Sequence, residues 1–104
     1  MTAAHKWHDA VFERDDYRCA SAIHDHRCPG RAEVAHHIVY RRFLYKEAMW
    51  LVDNGIALSE YCHLLAHSMH NLNIDEERLI AAVDAVNVAQ PKFKRPYFVS
   101  KGIV

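Results

Sequence analysis

The sequence predicts a small α+β domain in which a two-stranded hairpin leads into a helix, with further helices flanking this core at both ends. Three observations carry that expectation. Residues 32–40 and 56–58 are short, rich in valine, isoleucine and leucine, and follow the turn signals Pro29-Gly30 and Asp53-Asn54-Gly55, as strands do. Residues 59–69 then place apolar and histidine side chains at helical spacing, and two further helical patterns stand near the start and after Asn73.

Taken in order, Thr2 is placed to cap a first helix running to about Arg14, with Trp7, Val11 and Phe12 as its apolar side. Residues 17–30 hold Cys19, His24, His26, Cys28 and the Pro29-Gly30 turn without sustained periodicity, and read as an irregular knuckle. The strand over 32–40 carries His36 and His37. Residues 41–50 are aromatic and basic, with a helical turn expected around 46–51, and the strand over 56–58 can pair with the first as a hairpin with a long loop. Ser59 or Glu60 opens a helix to about Met69, which sets His63 and His67 one turn apart on one face, with His70 near the same side. Asp75 is expected to cap a last helix, with Glu76 and Glu77 in its first turn and Leu79, Val83 and Val86 as its buried stripe. Lys92, Lys94, Arg95 and Lys101 then alternate with Phe93, Tyr97 and Phe98, and Pro91 and Pro96 favour an extended chain. No repeat or linker divides the sequence, so 1–104 reads as a single domain with a core over about 15–70, a helical flank over about 75–90 and a basic aromatic tail over 91–104.

With 104 residues, 51% apolar and 25% charged, the chain has the composition of one ordinary globular domain, small enough for a bound metal to aid its stability. Thirteen basic residues balance thirteen acidic ones, so contact with nucleic acid would rest on local patches and a bound cation, not on overall charge. No stretch approaches the roughly 20 apolar residues that span a bilayer, and the first ten residues lack the pattern of a secretion signal. The expected setting is the cytoplasm, away from membranes. Three cysteines cannot all pair within one chain, which favours thiols or metal ligands over a disulfide framework.

The chemistry-bearing pattern is His36-His37, Asn54, then His63 and His67. Imidazole is both a metal ligand and a proton acceptor near neutral pH. Successive residues of a strand face opposite sides, so His36 and His37 suit different tasks, while the i, i+4 helical pair is a ready bidentate metal site. A strand histidine added to that pair leaves open positions on a cation, as catalysis requires.

This arrangement resembles the HNH family of nucleases, whose core is the ββα-metal (His-Me finger) fold, a hairpin and a helix gripping one divalent metal. The resemblance covers about residues 15–70 and extends to the approach Arg14-Asp15-Asp16-Tyr17-Arg18-Cys19. It implies that His36 joins His63 and His67 as metal ligands, that His37 activates water as the general base, and that Asn54 orients His37 or the loop holding it or, as the residue at this place does in some family members, binds metal instead. It further implies a metal-dependent endonuclease acting on DNA, double-stranded above all, and leaving 5′-phosphate and 3′-hydroxyl ends. Magnesium, manganese, nickel or zinc suits such a site, with histidine-rich ligation leaning towards the softer transition metals. Phosphodiester hydrolysis needs a deprotonated water, relief of charge at phosphorus and a stabilised leaving oxygen, and these roles supply all three.

Many relatives of that family also carry a structural zinc between two Cys-x2-Cys pairs. Here Ser59 stands three before Cys62 and Ala22 three after Cys19, so that pattern is broken. Cys19, Cys28 and Cys62 with His24 or His26 still make a legitimate tetrahedral set for a second, structural zinc; the other reading is three small buried hydrophobes. His5, His8 and His70 read as ordinary surface or core residues. Arg41, Arg42, Lys92, Lys94 and Arg95 flank the histidines and are candidates for phosphate contacts, which would make binding salt-dependent. The competing function is a zinc-stabilised nucleic-acid-binding or interaction module without hydrolysis, which needs the cysteines but neither His37 nor Asn54. So small a chain has little surface for sequence-specific recognition, which leaves selectivity to a homodimer or to a phage or restriction partner protein.

Overall fold

The computed structural model describes residues 1–91, and Lys92, Lys94 and Arg95 lie outside them. The order is α1 (Ala3–Arg14), β1 (Val34–His37), β2 (Gly55–Leu58), α2 (Glu60–Ser68) and α3 (Glu76–Ala89), with 3-10 turns at Arg41–Phe43, Lys46–Ala48 and Val52–Asn54 between the strands. The expected α+β hairpin-and-helix arrangement with helical flanks is present. Among the described residues no helix is long and apolar enough to cross a membrane.

Local chemistry sets most helix ends. Thr2 Oγ1 accepts the His5 N–H at 3.1 Å and starts α1, as expected of an N-cap threonine. Ser59 Oγ accepts the Cys62 N–H at 3.1 Å and starts α2. Asp75 stands at the N-cap of α3 but makes no side-chain capping bond, contrary to the sequence expectation, and the helix relies on Glu76 and Glu77 beside its positive end. Leu79, Ala82, Val83 and Val86 form its buried stripe.

The strands pair antiparallel in the register Val34↔Leu58, Ala35↔Ala57, His36↔Ile56 and His37↔Gly55. β1 is shorter than 32–40 because, after the Ile38 N–H reaches the Asn54 carbonyl at 2.9 Å in the register of the ladder, the Val39 backbone is taken by the Asn54 side chain. Ile38 and Val39 then enter the main core with Ile56, Leu58, Ala66, Leu79 and Val86, while Ala57 faces Trp7 and Val11 of α1 in a smaller one. All four residues of β2 are buried because helices cover both faces of the hairpin. Gly55 is where α1 comes closest. A Cβ there would collide with Val11 Cγ2 and lie 2.9 Å from the Trp7 ring, so the absent side chain is what lets the helix lie on the strand beside His37.

Asp15, directly after α1, ties three elements together. Its carboxylate accepts the Ala57 N–H at 3.0 Å, two bonds from the Arg14 guanidinium at 3.0 and 2.8 Å, and one from Arg78 of α3 at 3.1 Å. Burial pushes its pKa up, but hydrogen bonds from Arg14 and Ala57 and the charges of Arg14 and Arg78 outweigh it, and the net direction is down from 3.8. The folded state therefore prefers the charged form more than the unfolded chain does. The resulting stabilisation is complete above pH 3.8 and is lost as pH falls through the lower folded value. Replacing Asp15 by alanine removes the carboxylate from Arg78 and from a strand N–H while Arg14 keeps its bonds to the Val52 and Gly55 carbonyls, and is expected to cost about 2 kcal/mol in urea unfolding at pH 7. That difference between variant and wild type should shrink in unfolding curves recorded progressively below pH 4.

Candidate metal centre

The hairpin and α2 bring His36, His63 and His67 together, with one ring nitrogen from each lying within 4.8 Å of the other two. His63 Nε2 and His67 Nε2 are 3.1 Å apart. Two nitrogens at about 2.0–2.1 Å from one tetrahedral ion would be roughly 3.3 Å apart, so the pair is already spaced for a shared cation. His36 is buried at the back, its ring centroid 5.1 Å from each of the other two, and Tyr40 stacks on His67 at 5.5 Å. The three rings open into a cavity of about 240 Å³ whose wall also includes His37 and Arg41.

The tautomer of His36 is set by a residue that sequence reasoning missed. Asn71 is fully buried just beyond α2 and holds a left-handed backbone with φ of 65°. Its amide Nδ2 donates to the Ile38 carbonyl at 2.8 Å, which turns Oδ1 towards His36 Nε2, also at 2.8 Å. An amide oxygen only accepts, so Nε2 carries the proton and Nδ1 keeps the lone pair for a cation. Burial, against the pull of the Asn71 acceptor and helped by the neighbouring imidazoles, pushes His36 down to about 3 and keeps it neutral. His63 is also lowered, first by burial and then by His67.

His37 faces the other side of β1, as strand alternation requires. Its ring lies on Trp7 with centroids 4.2 Å apart and planes 16° from parallel. Nε2 donates to the Met49 carbonyl at 3.1 Å, which leaves Nδ1 as a proton acceptor. Burial chiefly lowers its pKa, the Met49 bond opposes this, and Arg41 adds to the lowering. Asn54 does not touch the ring. It is fully buried and clamps Val39, accepting the Val39 N–H at 2.7 Å and donating to the Val39 carbonyl at 3.1 Å. Of its expected roles, orienting the imidazole or the loop holding it, or binding metal, the bonds it makes serve the loop, since both its amide oxygen and its amide nitrogen are engaged by Val39. Arg41 reaches the cavity, whereas Arg42 lies over Phe43 and Tyr40, 4.9 and 5.3 Å from their rings, and does not line it.

A second group forms on the opposite side of the first turn of α2. Cys19, His24, Cys28 and Cys62 each present a ligand atom within 4.8 Å of the others. Four ligands at about 2.3 Å from a tetrahedral ion have neighbours roughly 3.8 Å apart, and the donors are three thiols and one imidazole, so the set fits a metal. His24 is the histidine recruited and His26 is not. Asp25 explains the choice: its side chain caps the Arg27 N–H at 2.7 Å, and the resulting turn returns Cys28 to within 3.3 Å of His24 Nδ1. Cys28 Sγ also receives the Gly30 N–H at 3.4 Å and lies 3.3 Å from Ser59 Oγ. Burial opposes the thiolate, but these donors prevail and draw the Cys28 pKa down, while burial pushes Cys62 up. Asn73, likewise missed, anchors this knuckle by donating to Ser21 Oγ and to the Cys62 carbonyl at 3.1 and 3.2 Å.

Comparison with protein-family models, with curated proteins and with solved structures gives no match for this chain. The site therefore rests on its own geometry.

The Asn71 arrangement generates a test. Asn71→Leu frees the His36 tautomer and should weaken divalent-metal binding at the three histidines by about 10–100-fold, read by titration calorimetry on protein with an intact circular dichroism spectrum.

Proposed function

We propose that this chain is an HNH-type, metal-dependent endonuclease that hydrolyses phosphodiester bonds of DNA. The observation that carries this reading is the shared cavity in which His36, His63 and His67 converge while neutral His37 keeps one ring nitrogen free beside them. A divalent ion held by the three histidines would polarise the phosphate and neutralise charge on the leaving oxygen. The remaining work belongs to the chain. His37, its Nε2–H committed to the Met49 carbonyl, takes the proton of the attacking water at Nδ1. Trp7 fixes the plane of that ring, and Asn54 fixes the backbone two residues on. Arg41, exposed at the rim, offers its guanidinium to the phosphate backbone.

The thiol-rich group supports a second ion with a structural task. A Cys3His set suits zinc, and it would join the knuckle to α2 without entering the reaction. The same group favours the runner-up reading, a zinc-stabilised binding module without hydrolysis, but that reading does not explain the histidine cavity.

Supercoiled plasmid incubated with wild type and His37→Ala, across magnesium, manganese, nickel and zinc and with chelator, separates the two. Metal-dependent nicking by wild type, reduced about 10²–10⁴-fold in His37→Ala with metal content unchanged, supports the enzyme. Retained DNA binding with no nicking by either protein would replace it with the binding module. Cobalt(II) substitution tests the structural ion: a thiolate-to-metal absorption band is expected in wild type and in His63→Ala, and its loss in Cys28→Ala should accompany a lower Tm.

A further inference from the structure

The histidine cavity does not end at His37. Ala35, His37 and Arg41 also line a second depression on the α1 side, of about 490 Å³, so that one cleft runs from the imidazole cluster past His37 to α1. The far part is walled by Trp50, Trp7, His5 and His8. Trp50 is half-buried, with its ring 5.8 Å from both Trp7 and His37. The Arg41 guanidinium lies over the Trp50 ring, 5.7 Å from its centroid. None of the residues lining this depression is acidic.

Packing accounts for only part of this arrangement, since Trp50 lies against the Trp7, Val11 and Ala57 cluster but is only half-buried. Trp7 serves the core, where its Nε1 donates to the Leu51 carbonyl at 2.9 Å, but the Trp50 ring borders open space on two sides, with Lys6 lining the concavity beyond it. A half-exposed indole with a guanidinium over its ring and an ammonium nearby combines the two parts by which single-stranded nucleic acids are held: cations that follow the phosphates and an aromatic side chain on which a base stacks. The depression falls within the roughly 300–1,000 Å³ of small-molecule sites, ample for one heterocycle. A base that is paired and stacked in a duplex cannot offer its face to such a platform.

Building on the nuclease reading, we propose that the Trp50–Arg41 depression takes up an unstacked nucleobase next to the phosphodiester at His37, so that the substrate is single-stranded or locally unpaired DNA. Trp50 is here a substrate-binding residue and Arg41 joins the two halves of the cleft. The base is read by its π-face and not by its edge, which implies little preference among the four bases.

The test compares a single-stranded oligodeoxynucleotide with its own duplex as substrates for the metal-loaded full chain, using wild type, Trp50→Leu and Trp50→Phe. Leucine keeps apolar bulk without a π-face; phenylalanine keeps the face. Wild type should favour the single strand, Trp50→Leu should raise its KM about tenfold with little change in kcat, and Trp50→Phe should retain most of the preference. Equal efficiency of wild type on both substrates, or identical behaviour of the two variants on the single strand, overturns the proposal. Fluorescence anisotropy with the same labelled strand distinguishes failure of the platform from failure of the nuclease. Trp50-dependent binding without cleavage defeats the nuclease reading and leaves the platform standing. Cleavage with no dependence on Trp50 defeats the platform alone, and absence of both binding and cleavage defeats both.

Discussion

Alternation along four residues of β1 is the constraint from which the site follows. Side chains of a paired strand cannot choose their face, so once Val34–His37 is registered against Gly55–Leu58, His36 must point to α2 and His37 to α1. A slip of one residue would exchange them, leaving the helical histidines without a third partner and Trp7 without an imidazole to lie on. The register is held from outside the strands, by Asp15 on the Ala57 N–H and by Asn54 on Val39. Gly55 permits the rest by letting α1 approach the face that carries His37.

Three buried asparagines perform the polar work that so small a core would otherwise avoid. Asn54 closes the end of β1, Asn71 joins the Ile38 carbonyl to His36, and Asn73 joins the knuckle to α2. An amide suits the first two places because it donates on one side and accepts on the other without charge, whereas Asn73 uses only its Nδ2, shared between Ser21 Oγ and the Cys62 carbonyl. Apolar replacements would fill the volume and leave backbone groups orphaned, at about 1–3 kcal/mol each.

Much of this was legible in the sequence, and the limits have physical causes. Thr2 and Ser59 announced α1 and α2 because capping is local chemistry, and the i, i+4 spacing of His63 and His67 is fixed by helix geometry alone. The convergence of His36 on that pair came from the family pattern, and geometry now supplies it independently. The end of β1 was not legible, because Ile38 and Val39 look like strand residues and leave the ladder only when Asn54, fifteen residues beyond Val39, takes the backbone. Asn71 and Asn73 carry no signal in the sequence, since a side chain that reaches back to a distant backbone leaves no periodic trace. The choice of His24 over His26 turned on the Asp25 turn, which spacing does not reveal. Trp7 reads as the apolar side of α1, and it is packing as well as a bed for His37.

Cys62 and His63 are consecutive residues in the first turn of α2, yet they belong to the two separate donor groups. One rigid peptide unit therefore joins both centres. An ion seated among the thiols removes rocking freedom from that turn, and a later ion among the imidazoles has less entropy to surrender. Thermodynamic reciprocity makes the benefit mutual. Ions held at these two groups would thus be coupled, each easing the binding of the other across a single peptide bond.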